Sequence, residues 1–187
     1  MVKYPVLAPT AWVVADNASG AGNQQERPSI DSIPSDLGSF LSGFALGEGS
    51  FMVVCRPRAD YPGKWKISAA FNVSQRDPEP LRLFRDAIGC GTMRQAGNQG
   101  WYLEVNRLTD LSEVVVPFFE RFPLVGTKAE SFREFSAAVR IMAQNPRDSD
   151  WIPRVLAHRE RMNDGGKRRY TMEGILRDYT PNPRTEG

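Results

Sequence analysis

The chain has 187 residues, 41% of them hydrophobic and 25% charged, with a net charge of +2. This is the composition of a globular domain with enough chain to bury a core, and the charge is too mild to imply a nucleic-acid partner without local clustering. Two cysteines, Cys55 and Cys90, and one histidine, His158, give neither a disulfide framework nor a Cys/His metal spacing, which points to a reducing compartment and excludes zinc-dependent and histidine-pair nucleases.

Residues 1–34 read as a flexible N-terminal extension. Ala18–Pro28 is polar and glycine-rich, and the apolar stretch Val6–Ala15 is cut by Pro9, which makes it a poor secretory signal. Ser35 or Asp36 is then expected to cap a helix from Leu37 to about Gly47, with Leu37, Phe40, Leu41 and Phe44 on one side. Its apolar run is broken within about 12 positions, short of the ~20 a membrane span needs. Gly43 and Gly47 stand four apart and share a face, which allows another helix to approach closely, and Glu48 ends the helix ahead of Gly49.

A hairpin follows, with strands Ser50–Arg56 and Lys64–Gln75 around an Asp60–Gly63 turn. On the second strand Trp65, Ile67, Ala69, Phe71 and Val73 alternate onto one face, and Lys66, Ser68, Ala70, Asn72 and Ser74 onto the other. This second face carries basic and hydrogen-bonding groups and no acid. Arg56 and Arg58 share a parity on the preceding strand, and such a surface suits phosphates and base edges. Asp77–Pro80 starts a helix, Leu81–Ile88, that ends at Gly89. A second hairpin, Gly91–Gln95 and Gly100–Arg107, carries Arg94. Thr109 or Asp110 is expected to cap a helix over Leu111–Val116 that Pro117 interrupts, and Arg121–Lys128 reads as a loop entering a long helix, Ala129–Gln144. Residues 146–187 read as a helical extension: Asp150–Met162, a basic loop with Arg168 and Arg169, and a short helix capped by Thr171.

Leu41-Ser-Gly-Phe-Ala-Leu-Gly-Glu-Gly49, continued by Ser50 and Phe51, resembles the LAGLIDADG motif of homing endonucleases. Leu46 replaces the penultimate acid of that motif, and Glu48 is the last acid. The order helix, two strands, helix, two strands, helix over residues 35–145 is similar to the αββαββα half-saddle of the family, an α+β fold with a curved antiparallel four-stranded sheet. Only one motif is present, which the resemblance ties to the homodimeric type, meeting through Leu41, Gly43, Phe44 and Gly47 on a pseudo-palindromic double-stranded DNA site.

The resemblance implies a site-specific homing endonuclease that cuts both DNA strands with Mg²⁺ or Mn²⁺ and no small-molecule cofactor. Glu48 and the Gly47 carbonyl would be metal ligands, Gln75 would order water, and Lys128 would stabilise charge on the phosphorus. DNA contacts are expected from Arg56, Arg58, Lys64, Lys66, Ser68, Asn72, Ser74, Arg76, Arg94, Arg168 and Arg169. The alternative is an intron-splicing maturase or a non-cleaving DNA-binding regulator on the same fold. Bacterial cytoplasm or nucleoid, or an organelle matrix, is the expected location, with no secretion and no membrane partner.

Overall fold

The computed structural model describes residues 28–61, 63–97, 100–144, 151–162 and 168–179. In chain order they form α1 (Ser35–Glu48), β1 (Gly49–Pro57), β2 (Trp65–Gln75), α2 (Glu79–Ile88), β3 (Thr92–Gln95) and β4 (Trp101–Val105). A composite helix follows as α3 (Leu108–Asp110), a π-helical stretch (Leu111–Val115) and α4 (Val116–Arg121). The helices α5 (Gly126–Ala143), α6 (Trp151–Arg161) and α7 (Met172–Asp178) complete the fold. None of the described helices is long and apolar enough to cross a membrane.

The two hairpins make one antiparallel sheet in the order β1-β2-β4-β3. The alternation read along β2 seats it: Phe71 and Val73 are wholly buried, while Lys66 and Ser74 are exposed. Helices cover the apolar face, and the space between is filled with phenylalanines. Phe51 lies 5.1 Å from Phe71, 5.2 Å from Phe119 and 5.1 Å from Phe135, ring centre to ring centre. Phe118 and Phe119 meet edge to face at 4.9 Å. Such pairs contribute about 0.5–1.5 kcal/mol each beyond the area they bury.

Several boundaries differ from the sequence expectation, each for a local reason. Helix α1 begins at Ser35 with Pro34 in the cap position, so neither Ser35 nor Asp36 caps it. Residues 28–34 are not a free arm: Ile33 is buried, and an added Cβ at Gly89 would meet the Pro28 ring at 2.4 Å. Residues 1–27 lie outside the described part. Neither Thr109 nor Asp110 caps the next helix, which starts at Leu108 behind Arg107. Pro117 does not end that helix. The wider π turn precedes it, and Pro117 takes a first-turn place in α4, where its missing N–H costs nothing. Helix α5 starts at Gly126 rather than Ala129, which puts Lys128 in its first turn instead of a loop.

The C-terminal helices pack onto the same body. Val155 and Met162 join the main core. Ile152, Leu156 and Ile175 form a second cluster with Cys55 and Trp65 at the far end of the first hairpin. Burial pushes the Cys55 thiol above its ordinary pKa, against the pull of nearby Arg159, so Cys55 acts as a packing residue. Thr171 caps α7 as expected, its hydroxyl accepting from the Gly174 N–H at 3.1 Å. The Tyr170 ring meets Trp65 edge-on at 5.0 Å, and an added Cβ at Gly63 would strike the Tyr179 ring at 2.2 Å. This segment therefore braces the β1–β2 hairpin from outside.

A polar clasp joins α5 to α6. The Glu134 carboxylate lies 2.8 Å from His158 Nδ1 and accepts from Arg161 Nε at 2.8 Å. Burial works to raise its pKa, but these two partners outweigh it and hold the carboxyl below its ordinary value. A carboxyl so depressed contributes stability above the unfolded-state pKa and loses it as pH falls through the folded value. Stability of the wild-type chain should therefore fall more steeply below about pH 4.5 than that of Glu134→Gln, as read from urea midpoints across pH. In the phenylalanine core, Phe119→Ala should cost about 3–5 kcal/mol of unfolding free energy in the same assay.

Candidate nucleic-acid interface and metal site

Helix α1 passes into β1 with no linking residue, because Gly49 is at once the helix cap and the first residue of the strand. Any Cβ there would sit 2.5 Å from the Ala45 carbonyl oxygen, so only glycine makes this junction. Glu48 is thereby fixed at the last position of α1, exposed to solvent. A helix C-terminus carries partial negative charge and carbonyls without helical partners, so the Glu48 carboxylate adds to an existing negative centre. Lys128 Nζ donates a hydrogen bond to the Gly49 carbonyl, which anchors a cation beside that centre.

The oxygen donors here suit a hard divalent cation such as Mg²⁺, which takes few carboxylates and keeps several waters. Among the described residues no group of three or more His, Cys, Asp or Glu stands together, so one chain offers Glu48 and backbone carbonyls such as that of Gly47. Gln75 is the last residue of β2 and pairs with Trp101 on β4. Gly49 pairs with Val73, so Gln75 lies at the same end of the sheet as the α1–β1 junction. The side-chain amide oxygen of Gln75, Oε1, accepts from the Arg76 N–H at 2.8 Å, which leaves the side-chain NH₂ as the available group.

The register resolves the polar sheet face into rows. Arg56 pairs with Lys66 and Val54 with Ser68 at one end. Ser50 pairs with Asn72, and Asn72 with Glu104, nearer the α1 junction. Ser74 pairs with Tyr102, and Tyr102 with Arg94. Arg56, Lys66, Ser74 and Arg94 are exposed, and Ser68 and Asn72 are half-buried. Arg76 is exposed just beyond the end of β2. Glu104 is the group that sequence reading missed. The outward residues of β1 and β2 include no acid, as read from sequence, but β4 sets this carboxylate beside them. Counting parity along Trp101–Val105 as well as along β2 would have found it.

Three expected contacts are committed elsewhere. Arg58 forms an ion pair with Asp60 at 2.5 Å, and this partner lowers the Asp60 pKa to about 2, so the pair stays charged at any working pH. Arg168 donates to the carbonyls of Arg159 and Met162 and lies 3.3 Å from Glu160, so its guanidinium ties down the end of α6. Leu41 is wholly buried in the chain's own core and cannot meet a second chain. Lys64 sits in the hairpin turn with φ of 59°, a left-handed conformation that few non-glycine residues adopt. Arg169 is exposed and lies over the Tyr170 ring at 5.3 Å, while residues 163–167 of the basic loop lie outside the described part.

Helix α1 has two small-residue faces. Inward, an added Cβ at Gly38 would strike the Phe122 ring at 2.2 Å, and Ser42 Oγ donates to the Phe122 carbonyl at 2.8 Å. Outward, Gly43 and Gly47 have nothing within 4 Å of such an atom. Around them Phe40 is 54% exposed, Leu46 36% and Val125 65%. Ser39, Gly43, Leu46, Pro123 and Val125 line a shallow cleft of about 250 Å³ on this side.

A four-stranded antiparallel sheet with one open face, and a glycine-faced helix ending in a carboxylate beside it, is the architecture of one LAGLIDADG half-saddle. Residues 41–139, more than half of the chain, match the sequence profile of the LAGLIDADG endonuclease family, and the chain belongs to that family. It is 26% identical over 132 residues to "Probable intron-encoded endonuclease 2" of Neurospora crassa, a match covering 68% of this chain and 29% of that protein. The chain thus spans under a third of that relative's length. Its fold superposes on the homing endonuclease I-TnaI with a TM-score of 0.63 and 25% identity, over 75% of this chain and 94% of the other. It also superposes on the group I intron-encoded homing endonuclease I-CeuI complexed with DNA, with a TM-score of 0.69 and 20% identity, over 78% and 76%.

The two faces of α1 should respond oppositely to one methyl group. Gly38→Ala must displace Phe122 and should destabilise the fold by about 1–3 kcal/mol. Gly43→Ala meets nothing and should raise helix stability by up to about 1 kcal/mol. Thermal melts of dilute protein distinguish the two.

Proposed function

We propose that this chain is a site-specific DNA endonuclease that hydrolyses both strands of a long, pseudo-palindromic duplex as a homodimer, with divalent metal ions at Glu48. The observation that carries this reading is the placement of Glu48: an exposed carboxylate at a helix C-terminus, between an open glycine face and an open polar sheet. A carboxylate at a helix C-terminus, where partial negative charge already gathers, repels phosphates unless a cation bridges them, which fits cutting better than binding alone. The likeness to a structure complexed with DNA supports the partner, and intron-encoded relatives support a working place beside DNA, in a nucleoid or organelle matrix.

Each residue then has a defined task. Gly43 and Gly47 let two α1 helices meet closely, with Phe40, Leu46 and Val125 supplying apolar area and Phe44 stacked 6.5 Å from Phe40. That contact sets two Glu48 carboxylates side by side. Glu48 and the Gly47 carbonyl would hold the metal, which when bound supplies an ionised water and neutralises phosphate charge. Lys128 adds a fixed positive charge near the scissile phosphate, and the Gln75 NH₂ orients water. Arg56, Lys64, Lys66, Arg76, Arg94 and Arg169 provide phosphate and base contacts, with Ser68, Asn72 and Ser74 between them. At ~3.4 Å per residue, β2 spans roughly ten base steps, the scale of one half-site.

Glu48→Gln keeps shape and loses charge. It should bind the selected duplex within about threefold of wild type and cut it at least a thousandfold more slowly with Mg²⁺, because without the carboxylate the metal is lost. Cleavage near the wild-type rate would remove Glu48 from the site. Gly43→Val should leave a folded chain that sediments as a monomer and does not cut.

A further inference from the structure

On the open sheet face, one row holds two side chains for whose acceptors no donor stands among the described residues. Asn72 Oδ1 is buried and receives no hydrogen bond. Its neighbour across the ladder, Glu104, is half-buried, and no ion pair reaches it among the described residues. Arg94, diagonal to Glu104 by register, does not neutralise it. A buried acceptor without a donor costs about 1–3 kcal/mol, and a carboxylate aimed at a polyanion repels it. Two adjacent costs of the same sign call for donors from outside the protein.

Phosphates cannot supply those donors, since they are acceptors themselves. Serving the row takes N–H groups on the ligand, and the major groove offers them only as the exocyclic amines of adenine and cytosine. We infer that Glu104, with Asn72, is a specificity-determining pair that reads amino-bearing bases at one fixed place in each half-site. This rests on the endonuclease reading above. Glu104 accepts from a cytosine N4 amine. After rotation of its amide outward, Asn72 accepts from an adenine N6 amine and donates to the adjacent N7. Their Cβ atoms, at the ~5 Å separation of cross-strand partners, suit neighbouring base steps of ~3.4 Å. Ser50 and Thr92, the outer members of the row, flank the pair with hydroxyls. The carboxylate has a second effect: where no amine meets it, it weakens binding, so it penalises wrong sites as well as favouring right ones.

The test is selection of bound duplexes from a randomised library with Ca²⁺ in place of Mg²⁺, for the full chain and for Glu104→Gln. Wild type should enrich cytosine at one position in each half-site. Glu104→Gln should relax that position by roughly ten- to a hundredfold, leave distant positions within about twofold, and bind an unrelated duplex more tightly at low salt. Asn72→Ala should relax an adenine at the adjacent step. If Glu104→Gln enriches the same sequence as wild type, or loses all positions equally, the inference is overturned while the endonuclease reading stands. If wild type enriches no sequence, that reading fails first and this one falls with it.

Discussion

A side chain at residue 49 would press its Cβ against the Ala45 carbonyl oxygen at 2.5 Å, and much of the molecule depends on its absence. Because Gly49 closes α1 and opens β1 in one residue, the helix direction and the strand direction are locked together. A longer linker would let Glu48 wander relative to the sheet. Here the carboxylate, the Gly49 carbonyl held by Lys128 and the first row of the sheet form one rigid corner. On the endonuclease reading proposed above, a phosphodiester at this corner would meet charges already in position, which is where electrostatic stabilisation is most effective.

The rest of the architecture reads as support for that corner. Phe122 wedges under Gly38 and fixes the angle of α1. The phenylalanine core holds the apolar side of the sheet, and its tilted and edge-on contacts fill space that aliphatic side chains would leave loose. At the opposite end, Trp65, Tyr170 and Tyr179 brace the hairpin tip that carries Arg56 and Lys66. A long two-stranded ribbon twists and bends easily when left alone, and this brace limits that motion.

What the sequence disclosed follows from which signals are local. The alternation of β2 spans eleven residues of one strand, so its two faces could be assigned without knowing any neighbour. The motif around Glu48 and the Gly89 and Thr171 helix ends were equally local. What escaped depended on partners distant in sequence or on a choice among near-equal options. Leu41 shares a helical stripe with Phe44, yet only the tertiary packing decides that Leu41 faces the core. Arg58 and Arg168 look like any basic groups until Asp60 and the α6 carbonyls are seen to occupy them. Pro117 reads as a helix breaker because the rule assumes α geometry, and a π turn avoids the clash. Glu104 went unremarked because β4 is only five residues long, although its buried Leu103 and Val105 already set Glu104 on the opposite face.

The separation of α1 into two faces has an evolutionary consequence. Its inner face, Gly38 and Ser42 against Phe122, is constrained by folding. Its outer face, around Gly43 and Gly47, touches nothing within the chain. Substitutions there displace no neighbour within the chain and are judged mainly by what the surface meets. If two chains meet through this face as proposed above, a duplicated gene could let its copies diverge at Phe40, Leu46 and Val125 until each prefers the other, with no unfolded intermediate along the way. On that reading the same freedom would open a path from a symmetric recognition site to an asymmetric one.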